Sequence, residues 1–176
     1  MSDDIITEPV DIEPFLGKCP SLWCYYTGDS VGDGLSNRLI NLPSWRNRIL
    51  GLEMYRYDVK GFLDWGLNYC YDRLSHGFSD PFNKPNGFEG GTGGHFIVYP
   101  GRDRKAYPSL RLKVFGEGIQ DMRALQLLEK LTDRATVCAL IDRLVGGKVT
   151  FHSAVADADA FLAVREAINA EIAARI

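Results

Sequence analysis

Gly61-Phe62-Leu63-Asp64-Trp65-Gly66-Leu67-Asn68-Tyr69 is the stretch on which the fold of this 176-residue chain turns. It reads as a short apolar strand over 61–65 that ends in a Trp, an Asn and a Tyr. A strand that leaves the core and at once presents an aromatic plate beside an amide is suited to hold a sugar. The plate covers apolar C–H faces and the amide pairs with hydroxyls. The same pattern also fits a core Trp at a strand end followed by a turn, because large aromatics mostly sit in cores.

Upstream of this strand, Trp45 to Tyr55 carries apolar residues at helical spacing. Pro43 suits the first turn of that helix, which should stop before Gly61. Leu22-Trp23-Cys24-Tyr25-Tyr26 is an apolar run closed by Gly28 and reads as a buried strand. Residues 27–37 form a loop rich in Gly, Asp and Ser, and residues 1–21 read as a polar lead-in.

Downstream, residues 71–94 form a long loop with Pro81, Pro85 and six glycines, a length that usually marks function or disorder. His95 to Tyr99 is a third strand, ended by Pro100-Gly101. Ser109 can cap a helix running to about Asp133, weakened in its middle by Gly116 and Gly118. A second helix covers about 133–145 and ends at Gly146-Gly147. Lys148 to His152 reads as a linker or short extended segment. A last amphipathic helix over 157–175 carries Phe161, Leu162, Val164, Ile168 and Ile172 as its apolar stripe. The expected division is a lead-in (1–21), a main unit (22–133) and a helical tail (134–176).

Strands alternating with helices imply parallel α/β packing. Three parallel strands make a thin sheet. A parallel sheet needs cover on both faces and protected edges, so the pattern fits part of a larger sheet or barrel.

Composition narrows the function classes. Apolar residues make up 45% and charged residues 24%, an ordinary globular balance. The net charge of −3 implies no basic face, which argues against nucleic acid as a partner. No stretch approaches the roughly 18 apolar residues of a membrane span. Met1 to Asp4 is acidic and polar and does not match a secretory signal, so the sequence assigns no compartment, the cytoplasm being the default only for a complete chain. Cys19, Cys24, Cys70 and Cys138 have no metal-type spacing and fit reduced thiols. His76, His95 and His152 are scattered, so no metal and no cofactor is expected. The Gly-rich run 86–94 lacks a Lys-Ser/Thr ending and opens a strand, which argues against phosphate binding.

A series of motifs then carries a resemblance. Asn37 to Pro43, Arg48 to Leu52, Gly61 to Asn68 and Asp80-Pro81-Phe82 follow one another in order. Phe96 to Gly101, Ser109 to Leu112 and Glu117 to Asp121 complete the series. Over about residues 22–130 this order resembles the C-terminal part of the glycoside hydrolase family 123 catalytic domain. The resemblance implies a partial (β/α)₈ TIM-type barrel, of which this chain supplies about the last three parallel strands with their helices, followed by C-terminal helices.

It also implies β-N-acetylgalactosaminidase chemistry with substrate assistance. In that scheme the substrate's acetamido oxygen attacks the anomeric carbon, a Glu is the general acid/base, and the preceding Asp orients the acetamido group. The family places that Asp-Glu pair on an earlier strand. This chain contains no Asp-Glu dipeptide, so it reads as the sugar-binding part of such a barrel without its acid, and no catalytic residue is assigned. Leu52 stands where a Trp is common in the family, Asp64 where a Tyr or His is common, and Gly90 to His95 replaces a simpler turn.

The residues expected to bind substrate are Trp23, Tyr25, Tyr26, Trp65, Asn68 and Tyr69. Trp23 and Tyr25 alternate to one face of the first strand, and Cys24 and Tyr26 to the other. Barrel sites lie at the C-terminal ends of the strands, which makes Tyr25 or Tyr26 a partner for the acetamido carbonyl. Each fits a core aromatic equally well. Trp65 is the expected floor of a sugar subsite and Asn68 a hydroxyl reader, or else an Asx-turn residue. Arg48 and Arg111 are read as structural ties, with Asp121 as one carboxylate partner. Asp64 has no identifiable partner and is read as structural.

The expected ligand is an N-acetylhexosamine-containing glycan. Open sheet edges imply self-association or a second chain that supplies the missing strands. Two alternatives stand beside this reading. One is a non-catalytic carbohydrate-binding or scaffold chain. The other is a small α/β protein whose long loop binds a protein partner.

Overall fold

A computed structural model describes residues 12, 14–26, 35–64, 67, 78, 80–84, 96–153, 155 and 157–176. Strand β1 (Trp23–Cys24) pairs in parallel with β2 (Gly61–Phe62), with Trp23 opposite Gly61 and Cys24 opposite Phe62. The ladder extends one step each way, through Lys60 N–H to Leu22 O (2.8 Å) and Leu63 N–H to Cys24 O (2.9 Å). Between the strands lie α1 (Trp45–Arg48) and α2 (Leu50–Arg56), so this half is a parallel strand–helix–strand crossover. Apolar spacing places Ile49, Leu50, Leu52, Met54 and Tyr55 inside. Asp58, in the left-handed region at φ 55°, turns the chain out of the helix toward β2, a conformation that Asp tolerates better than most residues.

The third strand differs from the expectation of a parallel neighbour over 95–99. Val98–Pro100 (β3) pairs antiparallel with Ala106–Pro108 (β4) in a separate two-stranded sheet. Pro100 does not end the strand but lies in it opposite Ala106, and the chain reverses at 101–105. Two prolines in so short a hairpin hide it from pattern reading, yet Pro is compatible with short edge strands. Ile97 N–H still reaches Leu67 O (2.8 Å), which ties this segment to the chain leaving β2.

Ser109 caps α3 (Leu110–Leu131), its hydroxyl accepting from Leu112 N–H at 3.1 Å. Asp133 caps α4 (Arg134–Val145), which stops at Gly146 in the left-handed conformation with φ 79°. Asp157 caps α5 (Ala158–Ala173). Its buried stripe is Phe161, Val164, Ile168 and Ile172. Leu162 does not belong to it: the residue is 47% exposed, because one step of about 100° from Phe161 carries it off the inner face.

Two cores result. One joins Ile49 and Leu52 with Leu125 and Leu128 of α3, Val137 and Ile141 of α4, and the α5 stripe. The other joins Cys24 and Tyr26 with Leu50, Met54, Val59 and Phe151. Phe151 and Val149 are fully buried, so the segment read as a linker is a packed wedge. Phe151 stacks on Tyr57 at 5.1 Å, and the Tyr57 hydroxyl donates to Val149 O (3.4 Å). Ile12, in the polar lead-in, is buried in the same core.

Candidate functional site at the sheet end

Because β1 and β2 run parallel, Tyr26 and Asp64, just beyond their C-terminal ends, come to the same end of the sheet. The group that joins them comes from Ser36-Asn37-Arg38-Leu39, a buried run without regular secondary structure. Buried irregular backbone needs its polar groups satisfied from outside. Asn37 N–H donates to Arg46 O (3.0 Å), Arg46 Nε to Leu35 O (2.6 Å), and Arg111 Nη1 to Arg38 O (3.1 Å). Asn37 Oδ1 accepts from Arg38 N–H at 2.7 Å.

Held this way, the Arg38 guanidinium pairs with Asp64 Oδ1. Its centre lies 5.3, 5.4 and 5.7 Å from the rings of Tyr26, Phe62 and Phe115. Tyr26 and Phe62 are themselves in contact at 4.7 Å. Burial pushes the Arg38 pKa down; the charge of Tyr26 opposes this, and neighbouring Arg111 adds to it. The ring faces and the Asp64 carboxylate offset the cost of keeping this cation out of water. Among the described residues Asp64 Oδ2 meets no donor, although it is closed off from solvent.

A cavity of about 240 Å³ adjoins this cluster, lined among others by Asn37, Arg38, Asn47, Tyr99 and Arg111. It lies below the roughly 300 Å³ at which ligand pockets usually begin, so it can hold one small substituent rather than a run of sugars.

Of the residues predicted to bind substrate, Tyr26 stands in this cluster. Trp23 does not: it is 53% exposed at the other end of β1, packed over Gly61, with Nε1 donating to Ser21 Oγ (2.9 Å). Tyr25 is half-buried and follows Trp23 in the outward alternation. Trp65, Asn68 and Tyr69 lie outside the described residues, as does most of the loop 71–94. Sequence reading missed the Arg38–Asp64 pair. The available signal was an Arg set between apolar Leu35 and Leu39, but only the fold brings it to Asp64. Among the described residues no group of three His, Cys, Asp or Glu side chains is placed to hold a metal.

A family model described as the glycoside hydrolase 123 catalytic domain matches residues 17–128. The chain belongs to this family. The matched region of this glycoside hydrolase 123 chain contains β1, the 36–39 run, β2 and most of α3, and therefore every member of the Tyr26–Arg38–Asp64 cluster. Helices α4 and α5 lie beyond it. A comparison with curated proteins found no match.

Two arginines of the glycoside hydrolase 123 motifs act as ties, as their positions on helices led us to expect. Arg48 grips Asp121 side-on, with Nε to Oδ2 at 2.6 Å and Nη2 to Oδ1 at 3.0 Å. Arg165 of α5 takes Oδ1 of the same carboxylate at 2.6 Å. Arg111 binds Arg38 O, Phe96 O and the Tyr99 hydroxyl, joining the 36–39 run to the β3 segment.

Proposed function

We propose that this glycoside hydrolase 123 chain forms glycan-binding structure of a β-N-acetylgalactosaminidase-type site and does not hydrolyse glycosides by itself. The observation that carries the reading is the placement of Tyr26, Arg38 and Asp64 at the C-terminal ends of two adjacent parallel strands, within the family-matched region. In a (β/α)₈ barrel that face is where active sites are built. On this reading β1, α1–α2 and β2 are one strand–helix–strand step of such a barrel, and the expected ligand is an N-acetylhexosamine-containing glycan.

The absence of an Asp-Glu pair from this chain supports the non-catalytic half of the proposal. A positioned general acid contributes on the order of 10²–10⁴-fold in rate, and the acetamido attack has no oriented partner without the Asp. We therefore expect no turnover of an aryl β-N-acetylgalactosaminide by the purified chain above background. Turnover proportional to protein, and retained through repurification, would contradict this. Asp64→Asn would then be the first variant to assay.

A further inference from the structure

We propose that the β3–β4 hairpin is an oxyanion-recognition element, and that the glycan bound by this chain carries a sulfate ester or a carboxylate. The inference rests on the glycan reading above and adds the charge of the ligand.

The hairpin tip is Arg102-Asp103-Arg104-Lys105, three cations and one anion, all exposed, in a chain of net charge −3. The acidic residue is engaged within the tip. Asp103 accepts from the Tyr107 hydroxyl (2.9 Å) and from Lys105 N–H (3.2 Å), and pairs with Lys105 Nζ at 3.5 Å. The Tyr107 bond, with the Lys105 bonds behind it, holds Asp103 below the usual carboxylate range. Among the described residues, that leaves Arg102 and Arg104 without a carboxylate.

The backbone points the same way. Gly101 N–H donates to Lys105 O (2.8 Å) and Arg104 N–H to Gly101 O (3.0 Å), closing a short reverse turn. Arg104 occupies its left-handed position at φ 64°. Hairpins of this kind place Gly there, because in that conformation the Cβ of an L residue crowds the following carbonyl oxygen. A cation stands where the turn favours glycine, and a residue that breaks a local rule at an exposed site is a pointer to function. The turn is closely packed at its start: a Cβ on Gly101 would run into Asp103 and the Tyr107 ring.

Aromatic surface lies beside these cations. Arg102 sits 4.4 Å over the Phe78 ring, which among the described residues leaves its N–H edges open to a bidentate oxyanion. Phe82 is 75% exposed and leans on Tyr99 at 5.0 Å. Tyr99 also lines the cavity beside Arg38, so the hairpin surface is continuous with the sheet-end site. Exposed ring faces beside guanidinium groups that meet no carboxylate among the described residues suit a sugar ring bearing an acidic substituent.

Calorimetric titration of the full chain with four probes tests this. They are N-acetylgalactosamine, its 6-sulfate, β-glucuronosyl-(1→3)-N-acetylgalactosamine and sodium sulfate. At least one acidic sugar should bind roughly tenfold or more tighter than the neutral one, the scale of one charge-assisted hydrogen bond. Which of the two does so distinguishes sulfate from carboxylate. Arg104→Gly should erase that preference, leave neutral-sugar binding unchanged and unfold at a temperature no lower than the parent, because glycine relieves the turn. Neutral and acidic sugars binding alike would overturn the proposal and leave the glycan reading standing. Retention of the preference in Arg104→Gly would overturn it too. So would inorganic sulfate binding as tightly as the sulfated sugar, which would mark a bare oxyanion site. Failure of all three sugars to bind would remove the glycan reading together with it.

Discussion

Gly51→Ala should lower the stability of the folded chain by about 3 kcal/mol, while Gly116→Ala, in the facing helix, should raise it by up to about 1 kcal/mol. Helices α2 and α3 cross with their backbones in contact. A Cβ on Gly51 would overlap the carbonyl oxygen of Gly118, and one on Gly118 would lie 2.6 Å from Arg48 O. The obstacle is backbone on both sides, so no rotamer change can relieve it, which places the cost at the upper end for overpacking. The gain in helix propensity from Gly to Ala offsets only about 1 kcal/mol. Gly116 has open space around its Cβ position, so only the propensity gain acts there. For a chain of this size the Gly51 loss corresponds to a melting temperature roughly 6–12 °C lower. Thermal unfolding followed by circular dichroism would show shifts of opposite sign for the two variants. Equal stability of Gly51→Ala and the parent would mean that the helices are further apart than described.

Asp121→Ala should cost about 3 kcal/mol, and Arg165→Ala about 1 kcal/mol or less. Asp121 is buried and holds Arg48 and Arg165 together. The Asp121 hydrogen bond raises the Arg48 pKa above its ordinary value against the opposing effect of burial. Removing the carboxylate leaves two guanidinium groups facing each other, and Arg48 also packs over Phe161, 5.3 Å from its ring centre. Arg165 is about a quarter exposed, so solvent screens its share of the loss. A double-variant cycle of Asp121 with Arg48 would report their coupling. Simple additivity of the two single losses would rule out the pair as the tie between α1 and α3.

Much of this arrangement could be read before the fold was known, and for local reasons. Ser109 announces α3, Gly146 ends α4, and the spacing from Trp45 to Tyr55 marks the crossover helix, because each signal acts within a few residues. The alternation in Leu22 to Tyr26 separates Cys24 and Tyr26 from Trp23 and Tyr25, but which face turns inward is decided by the fold, which buries Cys24 and Tyr26. Gly116 and Gly118 both read as helix weaknesses, but Gly118 is where a second backbone crosses, a fact of tertiary packing. The β3–β4 hairpin was missed because its strands are short, contain proline, and turn through Arg104 instead of glycine. The 36–39 run has no local signature. Its conformation is set in part by Arg111, 73 residues away, so the partnership of Arg38 with Asp64 emerges only in the assembled fold.

The most direct test of the sheet end as a glycan site is backbone amide NMR of the chain titrated with N-acetylgalactosamine. A glycan site there predicts saturable shifts at Tyr26, Asn37 to Leu39 and Leu63-Asp64, with the amides of α4 and α5 unmoved. Shifts confined to α4 and α5, or none at millimolar sugar, would contradict it.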